Sequence, residues 1–349
     1  MPFGCFIKKT TMKNIKYFIG LDISADDFSA SCITNPDNLV FPIKKFSNNT
    51  DGFNEFLALL SENNITQSNA IICMEATGVY CDEISYFLAS QGFNISIEAP
   101  HKIKNKTKDS PRKNDFIDAL AIAEYAYRYL DKLPFWKPKN AILDELQTLL
   151  SAREQLVVQK TATKNALNTL KRKHHQVEKV KEIYEKNIKE LEKQIKEIDR
   201  EIKTLINKDD AFKQKVSLAM SVPGVKLLLA ANLLVITNGF TEHLNYRQIA
   251  SYIGICPYEQ ISGTSLRKPP KSRRCGPYRL RKLIYLAALS VATYNPKFIA
   301  YFESKVSQGK NKRLVINNIK NKLLKITLAV VKSGVPYDPN FISIKPALV

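Results

Sequence analysis

The 349-residue sequence is short of acid, of histidine and of paired cysteine, and each shortage removes a class of protein. It has 33 Asp and Glu against 53 Lys and Arg, a formal net charge of +20 that points to a polyanionic partner, most often nucleic acid. The six cysteines, Cys5, Cys32, Cys73, Cys81, Cys256 and Cys275, never form a C-x-x-C pair. They read as free thiols of a reducing compartment, which excludes a zinc ribbon or a disulfide framework. The four histidines never fall in H-E-x-x-H, so a histidine-built metal site is not expected. No G-x-x-x-x-G-K-[ST] is present to bind ATP. Nor does any run approach the ~18 consecutive apolar residues of a membrane span. The first 14 residues lack the apolar core and cleavage site of a signal peptide. A soluble, cytoplasmic protein with no membrane partner is expected.

What is present divides the chain into three zones. Apolar residues make up 44%, enough for real cores, and the length suggests two or three domains. In the first zone, Lys16 to Ile23 reads as a buried strand, followed by strands at Phe28 to Ile33 and Leu39 to Phe46 around an Asn35-Pro36-Asp37-Asn38 turn. Helical spacing at Phe53, Phe56, Leu57 and Leu60 follows, with Asp51 as its expected N-cap. Strands at Ala70 to Met74 and Phe93 to Ile97 alternate with a helix through Leu88, and a last helix runs from about Asn114 to Leu130. The order βββ-α-β-α-β-α is that of the ribonuclease H-like fold.

Between about 140 and 208 Gly and Pro nearly vanish, and steps of three and four from Leu146 end in an unbroken aliphatic seam from Ile188 to Leu205. That is a coiled-coil pattern, predicting either one rod of roughly 90 Å or an antiparallel hairpin broken near His174-His175. Beyond 215, a Pro223-Gly224 turn precedes an apolar helix, Leu227 to Ile236. A second helix, Tyr246 to Ile253, leads to a loop, Gly254 to Gly276, and helices are expected at Pro277 to Ala292 and Arg313 to Val331. The fold class expected is α/β plus α. The domains are 16–135, a coiled coil at 140–208 and a mostly helical 215–335, with tails at 1–15 and 336–349.

Four carboxylates fall where this topology gathers them. Asp22 lies in the most apolar strand, where an unneutralised charge costs several kcal/mol. Glu75 ends the strand expected beside it, and Asp115 and Asp118 share one helix face. Such a cluster suits Mg²⁺, a hard cation seeking oxygen ligands, and two such ions can serve both sides of a phosphodiester exchange. Just ahead of the helix, Lys102, Lys104, Lys106, Lys108, Arg112 and Lys113 suit a phosphate backbone passing the metals. A second basic run, Arg267, Lys268, Lys271, Arg273, Arg274, Arg279, Arg281 and Lys282, follows Ser262-Gly263. A serine hydroxyl there needs a base or a metal to become a nucleophile, and no nearby His or Lys is an obvious base.

Taken in order, Gly20-Leu21-Asp22-Ile23, Met74-Glu75-Ala76-Thr77-Gly78, Lys113-Asn114-Asp115-Phe116-Ile117-Asp118-Ala119, Pro223-Gly224, Ile261-Ser262-Gly263 and Leu280-Arg281-Lys282 resemble one family. It is the insertion-sequence one-ten family of transposases, RuvC-like enzymes of the DEDD type, whose relatives include the Piv invertases. The resemblance covers roughly residues 16 to 335. It implies that Asp22, Glu75, Asp115 and Asp118 hold Mg²⁺, two ions with Mn²⁺ as the alternative, and that Ser262 joins covalently to a DNA phosphate. It further implies donor and target double-stranded DNA as partners, a structured non-coding bridge RNA as guide, and a homo-oligomer, dimer or tetramer. In such an assembly one subunit's acids serve another's serine. The setting implied is prokaryotic and nucleoid-associated. The sequence departs from the family at Ile261 and at Lys268-Pro269-Pro270-Lys271, and Ser265 stands close by as a rival nucleophile. The readings that compete with an RNA-guided serine recombinase are a RuvC-like nuclease using water, a Piv-type invertase, and a non-catalytic basic scaffold.

Overall fold

The computed structural model describes residues 14–104, 115–138, 140–175, 177–240, 245–262, 266–272 and 276–341, with backbone alone at 104, 115–117, 260–262 and 266–270. The chain forms two compact units, 1–138 and 139–349.

The first unit is built on strands β1 (Tyr17–Ile23), β2 (Asp27–Asn35), β3 (Asn38–Ser47), β4 (Ala70–Glu75) and β5 (Asn94–Glu98), in the order β3-β2-β1-β4-β5. β2 is antiparallel to β1 and β3, while β1, β4 and β5 run parallel. Five strands in this order are the ribonuclease H-like sheet. Because side chains alternate along a strand, β1 is apolar in both directions: Ile19, Leu21 and Ile23 face one layer, Phe18 the other. The first layer holds helices α1 (Thr50–Glu62) and α2 (Asp82–Ser90), whose Phe53, Phe56, Leu60, Ile84 and Leu88 complete that core. The α1 cap is Asn49 rather than Asp51: its side chain accepts from the Gly52 amide at 3.0 Å, leaving Asp51 in the first turn, where it favours the helix dipole. The opposite layer holds α3 (Pro100–Lys104) and α4 (Asp115–Arg128), with Ile103, Ile122, Ala123, Tyr125 and Ala126 packed on Phe18, Ile71 and Cys73.

In the second unit the coiled-coil pattern resolves as the hairpin. Helices α5 (Ala141–Leu170) and α6 (Glu178–Asn207) have 30 residues each, so each arm is ~45 Å long. Arg153 pairs with Asp199 at 2.6 Å, Lys160 with Glu192 at 3.7 Å and Lys171 with Glu185 at 3.5 Å. The partners descend on α6 as they climb on α5, which fixes the antiparallel sense. Leu191, Ile195, Ile202 and Leu205 are the buried seam of α6. The root of the hairpin joins a core shared with α7 (Asp210–Ser221), α8 (Leu227–Ile236), α9 (Tyr246–Ile253), α10 (Tyr278–Tyr294), α11 (Pro296–Ser307) and α12 (Lys312–Ser333). The Pro223-Gly224 turn serves packing. A Cβ on Gly224, at φ +80°, would stand 2.7 Å from the Val291 side chain and 2.9 Å from the Ala287 carbonyl.

Residues 254–276, read from sequence as a loop, contain a two-stranded hairpin, β6 (Pro257–Ser262) and β7 (Leu266–Ser272). The pair Pro269-Pro270 is unusual in a strand, because proline gives no ladder donor. The pairing avoids the conflict: Tyr258 faces Lys271 and Gln260 faces Lys268, so both prolines fall within the register shift between these pairs.

Candidate active site

Asp22 and Glu75 occupy equivalent places on neighbouring parallel strands. Leu21 pairs with Met74, so the next residues, Asp22 and Glu75, stand side by side at the carboxyl ends of β1 and β4. Both belong to the alternation that includes Phe18 and Ile71, the face covered by α4. Both are half-buried.

The reach of α4 over these acids depends on Gly20. A Cβ there would lie 2.1 Å from the Ala119 carbonyl and 2.5 Å from the Ala123 amide, so the helix backbone rests directly on the strand. The Phe18 ring meets Tyr127 edge-on, with centroids 5.1 Å apart. Moving from residue 18 to 20 on β1 thus moves from 127 back to 119–123 on α4: strand and helix run in opposite senses. The amino end of α4, with Asp115 and the exposed Asp118, therefore lies toward the Asp22 end of the strand. The side chain of Asp115 is outside the described ones. Among the described residues no three His, Cys, Asp or Glu stand close enough to hold an ion. The described donors on this side of the sheet, Asp22, Glu75 and Asp118, are all carboxylates, the donor type a hard divalent cation takes.

Two residues of this region are not apparent in the sequence. The first is Glu98, in register beside Glu75 on β5 and buried to 2% exposure. It extends the line of Asp22 and Glu75 across a third strand, and its charge is met by Lys102 of α3 at 2.7 Å. Lys102, read from sequence as a phosphate contact, is thus engaged with Glu98. The Tyr125 hydroxyl is pushed up to about 12 by burial first and then by Glu98, so it stays protonated there. The second is Asn48. Its side-chain amide donates to the Ser24 carbonyl at 3.0 Å and to the Tyr80 carbonyl at 3.0 Å, tying the segment after β1 to the one after β4. The spacing of the strand ends that carry Asp22 and Glu75 is set in part by this one side chain.

The cysteines near the sheet are inert. Burial pushes the Cys32 thiol up to about 12, and Cys73 and Cys81 rise for the same reason, so none forms a thiolate at neutral pH.

In the second unit Ser262 is the last residue of β6, paired with Leu266. Its side chain, like those of Arg267 and Lys268 on β7, is outside the described ones, and Lys271 is exposed. Lys106, Lys108, Arg112, Lys113, Arg273 and Arg274 lie outside the described residues, as does the side chain of Lys104 on α3. The remaining members of the basic run divide between two faces of α10. Arg279 and Lys282 face α5, where Lys282 stands 3.9 Å from Glu154; burial holds Arg279 below its usual range, partly offset by Glu154. Arg281 turns the other way and donates to the Ile253 carbonyl at 3.0 Å. The hairpin is also fixed at Gly276 (φ +85°), where a Cβ would fall 1.8 Å from the Tyr252 carbonyl.

A ribonuclease H-like sheet that collects acids at the carboxyl ends of its central strands defines the RuvC-like class. Comparison with known proteins places the chain within it. Residues 19–175 match a family model described as a transposase of the DEDD type, and residues 216–303 match the model of the transposase IS116/IS110/IS902 family. The chain belongs to the IS110 family of transposases, and its activity is DNA recombination. It is similar to the pilin gene-inverting protein of Moraxella lacunata, with 28% identity over 330 residues, 93% of this chain and 98% of that protein. The pilin gene-inverting protein of Moraxella bovis gives the same figures. An insertion element IS110 protein of Streptomyces coelicolor is 26% identical over 118 residues, 34% of this chain and 29% of that one. Among solved structures, T. thermophilus RuvC in complex with a Holliday junction substrate is similar over 34% of this chain and 99% of its own, with 12% identity and a TM-score of 0.25. The sheet order, not that likeness, carries the fold. Among the described residues no helix is long and apolar enough to cross a membrane.

Proposed function

We propose that the chain moves an insertion sequence by metal-assisted serine chemistry, with Asp22, Glu75, Asp115 and Asp118 as metal ligands and Ser262 as nucleophile. What supports this most is the in-register placement of Asp22 and Glu75 under the amino end of α4, in a chain whose second unit carries its own transposase match. When bound, Mg²⁺ ions, or Mn²⁺ in their place, would polarise the phosphate and favour the ionised serine. The Ser262 Oγ forms a bond to phosphorus, one P–O ester bond of the DNA breaks, and the departing DNA hydroxyl takes up the proton that serine releases. One ester replaces another, so the strand is resealed without ATP, in keeping with the missing ATP-binding motif. Lys104, Lys106, Lys108, Arg112 and Lys113, which precede Asp115 in the sequence, and Arg267, Lys268, Lys271, Arg273, Arg274, Arg279, Arg281 and Lys282, which follow the serine, would form the nucleic-acid surface, with Lys102 held instead by Glu98. A structured guide RNA from the element would select donor and target DNA, in an oligomer that sets one subunit's acids against another's serine.

A second reading is site-specific inversion, favoured by the similarity to gene-inverting proteins along 93% of the chain. It shares the chemistry and differs in the arrangement of the two DNA sites. The test maps the covalent link. The chain is incubated with its element's DNA ends, RNA and Mg²⁺, digested with protease and nuclease, and examined by mass spectrometry. A nucleotide on the peptide containing Ser262 is expected, absent in Ser262→Ala. A nucleotide on Ser265, or cleavage with no adduct, rejects the assignment.

A further inference from the structure

Two cations meet at the root of the β6–β7 hairpin. Arg281 of α10 and Lys320 of α12 are both half-buried. Lys320 is held below the usual lysine range by burial first and then by the Arg281 guanidinium. Its other neighbour is the Tyr285 ring, 6.0 Å from the ammonium to the centroid. Among the described residues no carboxylate pairs with Lys320. The surrounding donors are already directed at the backbone that leads into β6. Asn317 and Asn321, on the same face of α12 as Lys320, donate to the Ile255 carbonyl at 3.1 and 3.2 Å, and Arg281 donates to the Ile253 carbonyl at 3.0 Å. The position of the two charges relative to the strand that carries Ser262 is therefore fixed by α10, α12 and three hydrogen bonds.

Half-burying an ammonium beside a guanidinium works against folding, since desolvation and like charge act in the same direction. The contact with the Tyr285 ring offsets only part of that cost, and an apolar side chain of the same length would fill the same space without it. Like charges set in such a frame suit an anion that arrives later. The guanidinium offers a planar fork and the ammonium a point charge, the combination that suits a phosphate group. We propose that Arg281 and Lys320 form a binding site for a backbone phosphate of the DNA, at the base of the hairpin that presents Ser262. The site rests on the recombinase reading and extends it to Lys320, a residue outside both basic runs of the sequence.

The test uses the full chain and the substitution Lys320→Met, which keeps the stem and removes the charge. Two quantities are read: the melting temperature of the free protein, and the slope of log affinity against log salt for a duplex oligonucleotide. The melting temperature should rise while the slope becomes shallower by about one, the value for one lost phosphate contact. Lys320→Arg should restore the slope. A lower melting temperature with an unchanged slope would show a lysine that only supports the fold, and an unchanged slope at any melting temperature overturns the site. Failure of the unaltered chain to bind duplex DNA would overturn the site together with the reading beneath it.

Discussion

Replacing Asp22 with alanine should reduce DNA strand cleavage by on the order of 10³-fold or more while leaving DNA binding nearly intact. The magnitude follows from the several kcal/mol that a bound metal contributes to phosphoryl transfer, at about 1.4 kcal/mol per factor of ten. The selectivity follows from position. Asp22 is half-buried at the end of β1, paired across to Ser29, and the apolar side chains that hold the sheet, Ile19, Leu21 and Ile23, point to the other face. In the proposed function binding rests on cations spread along both basic runs, which the substitution does not touch. A gel-shift titration beside a cleavage assay separates the two quantities, and circular dichroism shows that the sheet is intact. Equal losses of binding and cleavage would mean that Asp22 supports the fold rather than the chemistry.

Gly20→Val is expected to damage stability and activity together. Even a single methyl at residue 20 would stand 2.1 Å from the Ala119 carbonyl and 2.5 Å from the Ala123 amide, both of them backbone atoms that no rotamer change can move. The helix must lift from the sheet or the strand must shift. Overpacking of this kind costs roughly 1–3 kcal/mol, more where backbone must move, or a melting temperature lower by roughly 5–10 °C in a unit of this size. Because α4 carries Asp118 and begins at Asp115, any lifting also spoils the acidic end. Cleavage should stay depressed at 10 °C below the variant's own melting point, where the unit is folded. Recovery of full activity at that temperature would show that Gly20 matters for stability alone.

Much of the first unit was legible because its strands are short apolar runs and their order leaves few topologies. Asp22 stood out as a carboxylate in the most apolar of them. Glu98 did not, because Phe93 to Ile97 reads as a complete strand and the acid falls one residue past the apparent end. Its importance comes only from its register with Glu75. Asn48 acts on carbonyls 24 and 32 residues away, a relation no local pattern carries. The β6–β7 hairpin was hidden by its prolines, which local rules place outside strands and which a register shift accommodates. Helix α11 does carry a local signal, Asn295 followed by Pro296, a cap and a first-turn proline. Lys320 was invisible as a site because one lysine in an amphipathic helix looks like a solvated one. Only the packing of α10 against α12 sets it beside Arg281.

In the proposed reaction the acids of the first unit and the serine of the second act together. The most direct measurement is the yield of covalent protein–DNA adduct, with the element's own DNA ends and RNA, from the unaltered chain, Asp22→Ala and Ser262→Ala, each with Mg²⁺ and with a chelator. An adduct is expected only from the unaltered chain and only with the metal. Adduct formation by Asp22→Ala, or metal-dependent cleavage that persists in Ser262→Ala, would contradict the proposed reaction.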